Sequence, residues 1–591
     1  MAAAGAAVWI ATLSGGSALA QELSSEIEPG RLETNFEVAQ QQLPSTAEPG
    51  RIEKSFEQTP EPKSAFEPIV EEGEEVVAPE AAKAIKFNLA GIVVEGSTVY
   101  EDVDFLPLYE ELLGTEISLA EIYRVANEVS AKYRGDGYIL SRAIVPPQTI
   151  RNGVARVSVV EGFVNEVIIE GDIVGRESLL NAYANTIAEA RPLNVDVLER
   201  YLLLADDLPG VTAKAVLTPA LDMPGSSDLV IFIEHKSVDI SVGGDNRSTK
   251  FQGPYQASLL IDLNSPFGLY ERTRMRGTLA SQPEELGFLE ITHDENIGSE
   301  GTKLILSYSA ARSRLGSVLK PAQIDTYEDS IVLLVTHPII RSRGTNLSVR
   351  GSFTYSRSEV ELFAGLQPLF EDRLRIAAIG GTYDFVDRLR GVNLVDVEFK
   401  QGLDILNEST SGSVDSEGSS TLSRVNGKSD FSKIVVRAQR LQGLQNLLPG
   451  LTMLFSASGQ YAFSQLLSSE QFGYGGNEFG RAYDSSEIVG DHGAAGTMEL
   501  QYGQTVSWED FEFLSGYQLY GFYDYGLVWV IDPLGGPSRQ TGASTGLGVR
   551  FNLLDNISGF VEMAKPLTRG VASRGMDGGE PRYFFGIAAR Y

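Results

Sequence analysis

From about Ser237 to Tyr591 the chain repeats short runs in which apolar and polar residues alternate, punctuated by Gly, Asn, Asp and Ser. A period of two sends successive side chains to opposite faces of a strand, so each run has one apolar and one wettable face. In SGYQLYGFYDYGLVWV, Tyr517, Leu519, Tyr523, Tyr525 and Leu527 share one face, and Gln518, Tyr520, Phe522, Asp524 and Gly526 share the other. AGTMELQYG likewise sets Met498, Leu500 and Tyr502 against Thr497, Glu499 and Gln501. A β-sandwich or propeller requires a dry inward face, whereas here the inward positions are polar, glycine or charged. Beyond the N-terminus no run of about 18 apolar residues offers a helical span, so a membrane crossing by this chain is a closed barrel. Roughly 350 residues at about 20 to 24 per strand and turn give on the order of 16 strands.

The last run, RYFFGIAARY, puts Tyr583, Phe585, Ile587, Ala589 and Tyr591 on one face. Such terminal aromatics are common in outer-membrane barrels. Phe585, Ile587 and Tyr591 are therefore read as a barrel-assembly signal, with outer-membrane lipid and the barrel-assembly machinery as expected partners. The polar tract LNESTSGSVDSEGSSTLSRVNGKSD, residues 406–430, is too long for a periplasmic turn and is read as an extracellular loop.

The rest of the chain is organised differently. MAAAGAAVWIATLSGGSALA ends in a small-x-small pattern, so residues 1–20 read as a signal peptide cleaved before Gln21, without the usual basic start; a buried N-terminal helix is the alternative. Residues 21–85 are acidic and rich in Pro, Gln, Ser and Glu, yet they hold a repeat: EPGRLETNFE (28–37) and EPGRIEKSFE (48–57). Leu32 stands four before Phe36, and Ile52 four before Phe56, the spacing that puts both on one helix face. Short helices and a linker with a duplicated scrap are both compatible with this. Residues 86–161 then read strand, helix, helix, strand, strand, and 162–236 read as a looser second copy. In the first, Leu119, Ile122, Val125, Ala126 and Val129 form one helix face, ended by Gly135 and Gly137. The barrel occupies 237–591, making the fold class mostly β with two α+β modules.

The formal charge of −31 repels phosphates, which speaks against nucleic-acid partners. With no cysteine, thiolate metal sites and cysteine nucleophiles are excluded. His235, His293, His337 and His492 lack zinc-ligand spacing. Asp484, Glu487 and Asp491 miss the calcium-loop pattern. GYGGNEFG lacks the Lys-Ser/Thr ending of a phosphate loop, and no serine sits in a nucleophile elbow. No enzyme, metal or cofactor is expected.

One segment remains: GGNEFGRAYD, a lone arginine among small and aromatic residues, Gly475 to Asp484. With the order of parts around it, the chain resembles the two-partner secretion outer-membrane transporters (TpsB; ShlB/FhaC/HecB-like) nearly end to end. That resemblance implies two periplasmic POTRA domains, a sixteen-stranded barrel, an N-terminal helix able to occupy the pore, and an inward-folded loop bearing V/I-R-G-Y/F. Here the tetrapeptide is Gly480-Arg481-Ala482-Tyr483, departing by Gly480 for the aliphatic residue and Ala482 for the glycine. Alanine fits the third position where φ is negative and is strained where it is positive. The resemblance also implies an aspartate partner for the arginine on the following strands, and Asp524 stands on the lumen face. Leu32, Phe36, Ile52 and Phe56 become candidate anchors of the plug helix, either copy being eligible. The implied function is capture of a large exported protein, of the β-helical adhesin or haemolysin type, and its passage through the outer membrane without ATP. A barrel-assembly factor of the same superfamily is the alternative, and a passive porin or receptor barrel is a third.

Overall fold

The computed structural model describes residues 50–57, 59–64, 77–220, 223, 225–362, 367–409, 421–505, 514–533, 536–554 and 556–591. The expected signal peptide and the anchors Leu32 and Phe36 lie outside the described residues.

Among the described residues, sixteen antiparallel strands from Val238–Asp245 to Arg582–Arg590 form a closed barrel. The last strand pairs back onto the first, from Gly586 opposite Asp245 to Arg590 opposite Ser241. Closure leaves no unpaired edge, which is what permits a sheet to sit in hydrocarbon. The alternation read from the sequence sorts as expected: Leu519, Tyr523 and Tyr525 are exposed on the outside, while Tyr520, Phe522 and Asp524 are buried inside. Tyr583, Phe585, Ile587 and Tyr591 are likewise exposed. No described helix is long and apolar enough to cross a membrane.

Two small modules precede the barrel. In the first, Gly91–Glu95 pairs in parallel with Val154–Val160, which pairs antiparallel with Arg142–Ile144 on its other side. In the second, Ser226–His235 is central, parallel to Phe163–Gly171 and antiparallel to Val211–Pro219. The helix Leu119–Gly135 seals the first sheet with Ile122, Val125, Ala126 and Val129, all fully buried. Two elements are shorter than their patterns predict. The helical spacing after Glu101 is broken into Asp102–Phe105 and two 3₁₀ turns, Leu106–Leu108 and Glu110–Leu112, because Pro107 has no N–H for the helical ladder. The strand expected from Tyr138 is only Arg142–Ile144, cut off before Pro146 and Pro147. Between the modules Glu161 accepts bonds from Thr98 N–H (2.7 Å) and the Tyr133 hydroxyl (2.9 Å). Burial pushes the Glu161 carboxyl up, but these bonds outweigh it and hold it below the ordinary range.

The second module is docked on one end of the barrel. Tyr270, on a barrel turn, is wholly buried in that module's core, and the Tyr201 hydroxyl donates to Glu300 at 2.8 Å. At the same junction Asp207 receives Arg341 (2.8 and 3.1 Å) and Lys63 (3.3 Å), while Lys303 donates to its carbonyl at 3.0 Å. The described parts of the 406–430 tract connect strands Gly391–Gly402 and Ser432–Gly443 at the opposite end of the barrel.

Candidate functional site

Among the described residues, two segments that are not part of the wall enter the lumen. The first is an excursion, Phe463 to Asp491, between the adjacent strands Leu451–Ala462 and His492–Thr505. Its stem is a small hairpin, Phe472–Tyr474 against Ile488–Gly490, and its tip carries Gly480-Arg481-Ala482-Tyr483.

Register places the arginine's receptors. Thr497 lies opposite Asp524, Glu499 opposite Phe522, and Asp524 opposite Ser544, so the period of two turns these side chains to one patch of the inner wall. Arg481 reaches Asp524 with its backbone N–H (2.9 Å), Nε (3.3 Å) and Nη2 (3.0 Å). It also donates to Thr497 Oγ1 at 2.8 Å and to Glu499. The guanidinium stacks over Phe522, 3.4 Å from the ring centroid. Glu499 is shared with Arg550 (2.7 Å), which lies over Tyr520 at 3.8 Å. Two cations and two carboxylates thus meet in a group with no net formal charge, buried except at Arg550, and the planar fork of arginine uses its donors in several directions at once. Sequence reasoning had placed Asp524 on the lumen face. It had also put Glu499 on the polar face of AGTMELQYG without giving it a role; only strand register reveals that the two acids converge.

The two departures from the tetrapeptide have local explanations. Gly480 has φ +77°, and a Cβ there would come within 2.7 Å of the Tyr474 ring. That ring is itself seated against Gly526 and Gly542, where a Cβ would approach it to 2.1 and 2.4 Å. An aliphatic residue at 480 is thus excluded by an aromatic in a glycine slot. Ala482 is not among the positive-φ residues, so its methyl is unstrained; it is fully buried among Tyr520, Phe522, Ala564 and Phe584. The Tyr483 hydroxyl donates to the Ala543 carbonyl at 2.9 Å. The nearby acids have protein partners: Asp484 pairs with Arg582 (2.9 Å), Glu487 accepts Ala572 N–H (2.7 Å) and Asp491 pairs with Arg424 (2.6 Å).

The second segment is a short helix, Arg51–Ser55, from the second copy of the sequence repeat. Ile52 is buried against Ala280, Leu286, Phe288 and Ala311, and Phe56 stacks on Phe288 with centroids 4.3 Å apart. Glu328 accepts Ile52 N–H (3.4 Å) and Glu53 N–H (2.9 Å), while Arg276 donates to the Phe56 carbonyl at 2.8 Å. The helix touches the excursion as well: Arg51 and Lys54 donate to the Gln471 carbonyl at 3.3 and 3.1 Å. Past Glu57 the chain leads to Ser64, where Lys63 and Ser64 N–H reach Asp384 at 3.2 and 2.8 Å. Cavities of about 630 and 550 Å³ flank the helix, one against a hydroxyl-rich wall that includes Ser307, Ser330 and Ser352, the other toward the excursion.

Comparison with known proteins accounts for this combination. Residues 87–162 match the family described as POTRA domain, ShlB-type, and residues 225–551 match haemolysin secretion/activation protein ShlB/FhaC/HecB. The heme/hemopexin transporter protein HuxB of Haemophilus influenzae (strain 86-028NP) is 22% identical over 501 residues, covering 82% of this chain and 85% of that protein. The hemolysin transporter protein ShlB of Serratia marcescens is 31% identical over 192 residues, 32% of this chain and 33% of that protein. Among solved structures, CdiB from Escherichia coli matches with a TM-score of 0.70 at 18% identity, covering 96% of this chain and 100% of the other.

Proposed function

The chain belongs to the haemolysin secretion/activation (ShlB/FhaC/HecB) family, and from that premise we propose how it moves its cargo. It is an outer-membrane transporter of two-partner secretion, with its POTRA modules in the periplasm and a partner exoprotein as substrate. The observation that carries the mechanism is the lumen: a polar passage closed, among the described residues, by segments that are not part of the wall and are held to it by non-covalent contacts.

In this reading the exoprotein, a large β-helical adhesin or haemolysin, arrives extended. Extended chain recognises a free sheet edge through main-chain hydrogen bonds; Arg142–Ile144 and Gly91–Glu95 border the first module's sheet, and Val211–Pro219 and Phe163–Gly171 the second. The Arg51–Ser55 helix then leaves its seat, and the passing chain meets a wall of hydroxyls and charged side chains such as Arg274, Arg350 and Glu398 rather than a continuous apolar surface that would hold it. Arg481 holds the excursion in one registered position on the wall through Asp524 and Glu499. Folding of the cargo outside supplies the driving force. The terminal face bearing Phe585, Ile587 and Tyr591 addresses the chain to the barrel-assembly machinery during its own insertion.

The test is deletion of this protein in its native bacterium, followed by comparison of surface and medium proteins. Loss of one large exoprotein with other outer-membrane barrels intact is expected. General loss of barrels would identify an assembly factor instead.

A further inference from the structure

We propose that Arg247 clasps the barrel seam from within, a positioning role that lets an extended exoprotein pass the lumen without adding itself to the wall. That purpose rests on the lumen being the passage, as read above, whereas the clasp itself is built from barrel residues alone.

The seam joins the first strand, Val238–Asp245, to the last, Arg582–Arg590. Its ladder runs only from Ser241 opposite Arg590 to Asp245 opposite Gly586. The ladders on either side are longer, from Val238 opposite Leu263 to Asp245 opposite Gln256, and from Ile557 opposite Ala589 to Ala564 opposite Arg582. Gly243, Gly244 and Gly586 weaken the seam further, because glycine has no side chain to pack and loses most entropy in a strand. A short ladder between glycine-bearing strands is where another extended chain competes best for main-chain bonds. A transporter of extended chain exposes its wall to such a competitor at every turnover.

Side chains complete the closure. Past Asp245 the ladder stops while the last strand continues to Arg582. Asn246 covers that gap: its amide donates to the Tyr583 carbonyl at 3.0 Å and accepts the Phe585 N–H at 2.8 Å, as the backbone of a paired strand would. Arg247 reaches farther, past the last strand to its other neighbour, Ile557–Pro566, where it donates to Glu562 at 3.0 Å. Its guanidinium lies 4.8 Å from the centroids of both Phe560 and Phe584. Phe560 in turn rests on Gly586, where a Cβ would come within 2.5 Å of the ring. Glu562 is 1% exposed and also accepts the Tyr520 hydroxyl at 2.9 Å, which fixes the arginine's seat. Arg247 thus ties the two neighbours of the last strand to each other across that strand's inner face. The excursion holds the same strand through Arg582, which pairs with Asp484 and donates to the Ala482 carbonyl at 3.1 Å. The Arg247 bond uses no residue of the excursion or the plug, so it outlasts any movement of either.

The test reads the seam in the purified full chain, without secretion. Arg247→Ala should raise amide hydrogen exchange across Ser241–Asp245 and Gly586–Arg590 roughly tenfold, the loss of one charge-assisted bond. The ladder between Gln256–Asn264 and Arg272–Ala280 should keep its protection, and heat-dependent gel mobility should not change; a residue that merely stabilised the barrel would move both ladders. Glu562→Gln keeps the shape and carries the same prediction should Arg247→Ala fail to fold, and Arg247→Lys should restore part of the protection. A labelled peptide of residues 582–591 should be retained several-fold more by Arg247→Ala barrels than by natural ones. For the passage, a Cβ on Gly243 would lie 3.4 Å from the Ala588 Cβ, close to what a disulfide spans, and the chain has no cysteine of its own. Gly243→Cys with Ala588→Cys, oxidised to lock the seam, should export the exoprotein at the natural rate. Unchanged seam exchange in a folded clasp variant would overturn the proposal, as would equal peptide retention, or export that stops on oxidation and returns on reduction. If no exoprotein depends on this chain, the secretion reading falls, and the exchange and peptide measurements still decide the clasp.

Discussion

The excursion and the plug helix close the same lumen by opposite means. Arg481 is fixed by charge, with two carboxylates, a hydroxyl and an aromatic face, whereas the plug rests on an apolar pair, Ile52 and Phe56, with bonds to its backbone and single bonds from the Arg51, Glu53 and Lys54 side chains spread around it. Charged bonds are directional and fail together when one partner is lost. Apolar contact is graded and tolerant of a similar occupant. One closure is therefore built to keep register and the other to release in steps.

The largest effect expected tests the charged side. Arg481→Ala leaves Asp524 and Glu499 buried beside a single remaining cation, Arg550, and should cost about 3–5 kcal/mol of the folded lumen. Heat-dependent gel mobility should show the barrel unfolding at lower temperature. Arg481→Lys should recover little, since an ammonium cannot serve Asp524, Glu499 and Thr497 at once. If both variants match the natural protein, the charged group does not hold the excursion. Next comes Gly480→Val, which restores the family's aliphatic residue but puts a β-branched side chain at φ +77° against Tyr474. A loss of roughly 2–3 kcal/mol is expected from the left-handed backbone and the clash. Tyr474→Ala in the same chain should recover part of it.

On the apolar side Phe56→Ala removes the stack on Phe288 and should weaken the seat by about 1–2 kcal/mol, raising the open fraction in planar bilayers roughly tenfold. Arg481 should remain in place, visible as unchanged heat-dependent mobility. Simultaneous loss of both closures would show that the Gln471 contact welds them into one unit.

The sequence carried these two closures unequally. Arg481 and Asp524 were legible because an inward Asp on an alternating strand is a strong signal and the tetrapeptide names its partner. Glu499 was visible on the right face, but its convergence with Asp524 depends on Thr497 lying opposite Asp524, a register that no local pattern states. Tyr474 gave no signal, since its slot is assembled from Gly480, Gly526 and Gly542. The plug was legible as a helix face and no further. Its pocket gathers Ala280, Leu286, Phe288 and Ala311 from neighbouring strands, which only barrel formation brings together, and nothing in two nearly identical decapeptides says which one is seated. The proline breaks at 107 and 146 were readable, and periodicity alone overran them.

The smallest effect concerns the place where the plug's tether is anchored. Lys63, at the end of the plug's tether, meets Arg341 of the barrel on the carboxylate of Asp207, which belongs to the second POTRA module. Burial would raise the Asp207 carboxyl, but the Arg341 bonds and the charges of Lys63 and Lys303 outweigh it and hold it below the ordinary range. A carboxylate with a depressed value stabilises the assembled state fully above its unpaired value, and that contribution fades as pH falls through the depressed one. The anchor should therefore be indifferent to pH near neutrality and loosen only under acid, below the usual aspartate range. A spin label at Glu61→Cys, an exposed site on the tether, should sharpen as pH is lowered from 7 to 3. Asp207→Asn should show the mobile spectrum at every pH, and the effect should be modest because Lys63 is half exposed to solvent. If Asp207→Asn leaves the label at pH 7 as immobile as in the natural chain, Asp207 does not anchor the tether.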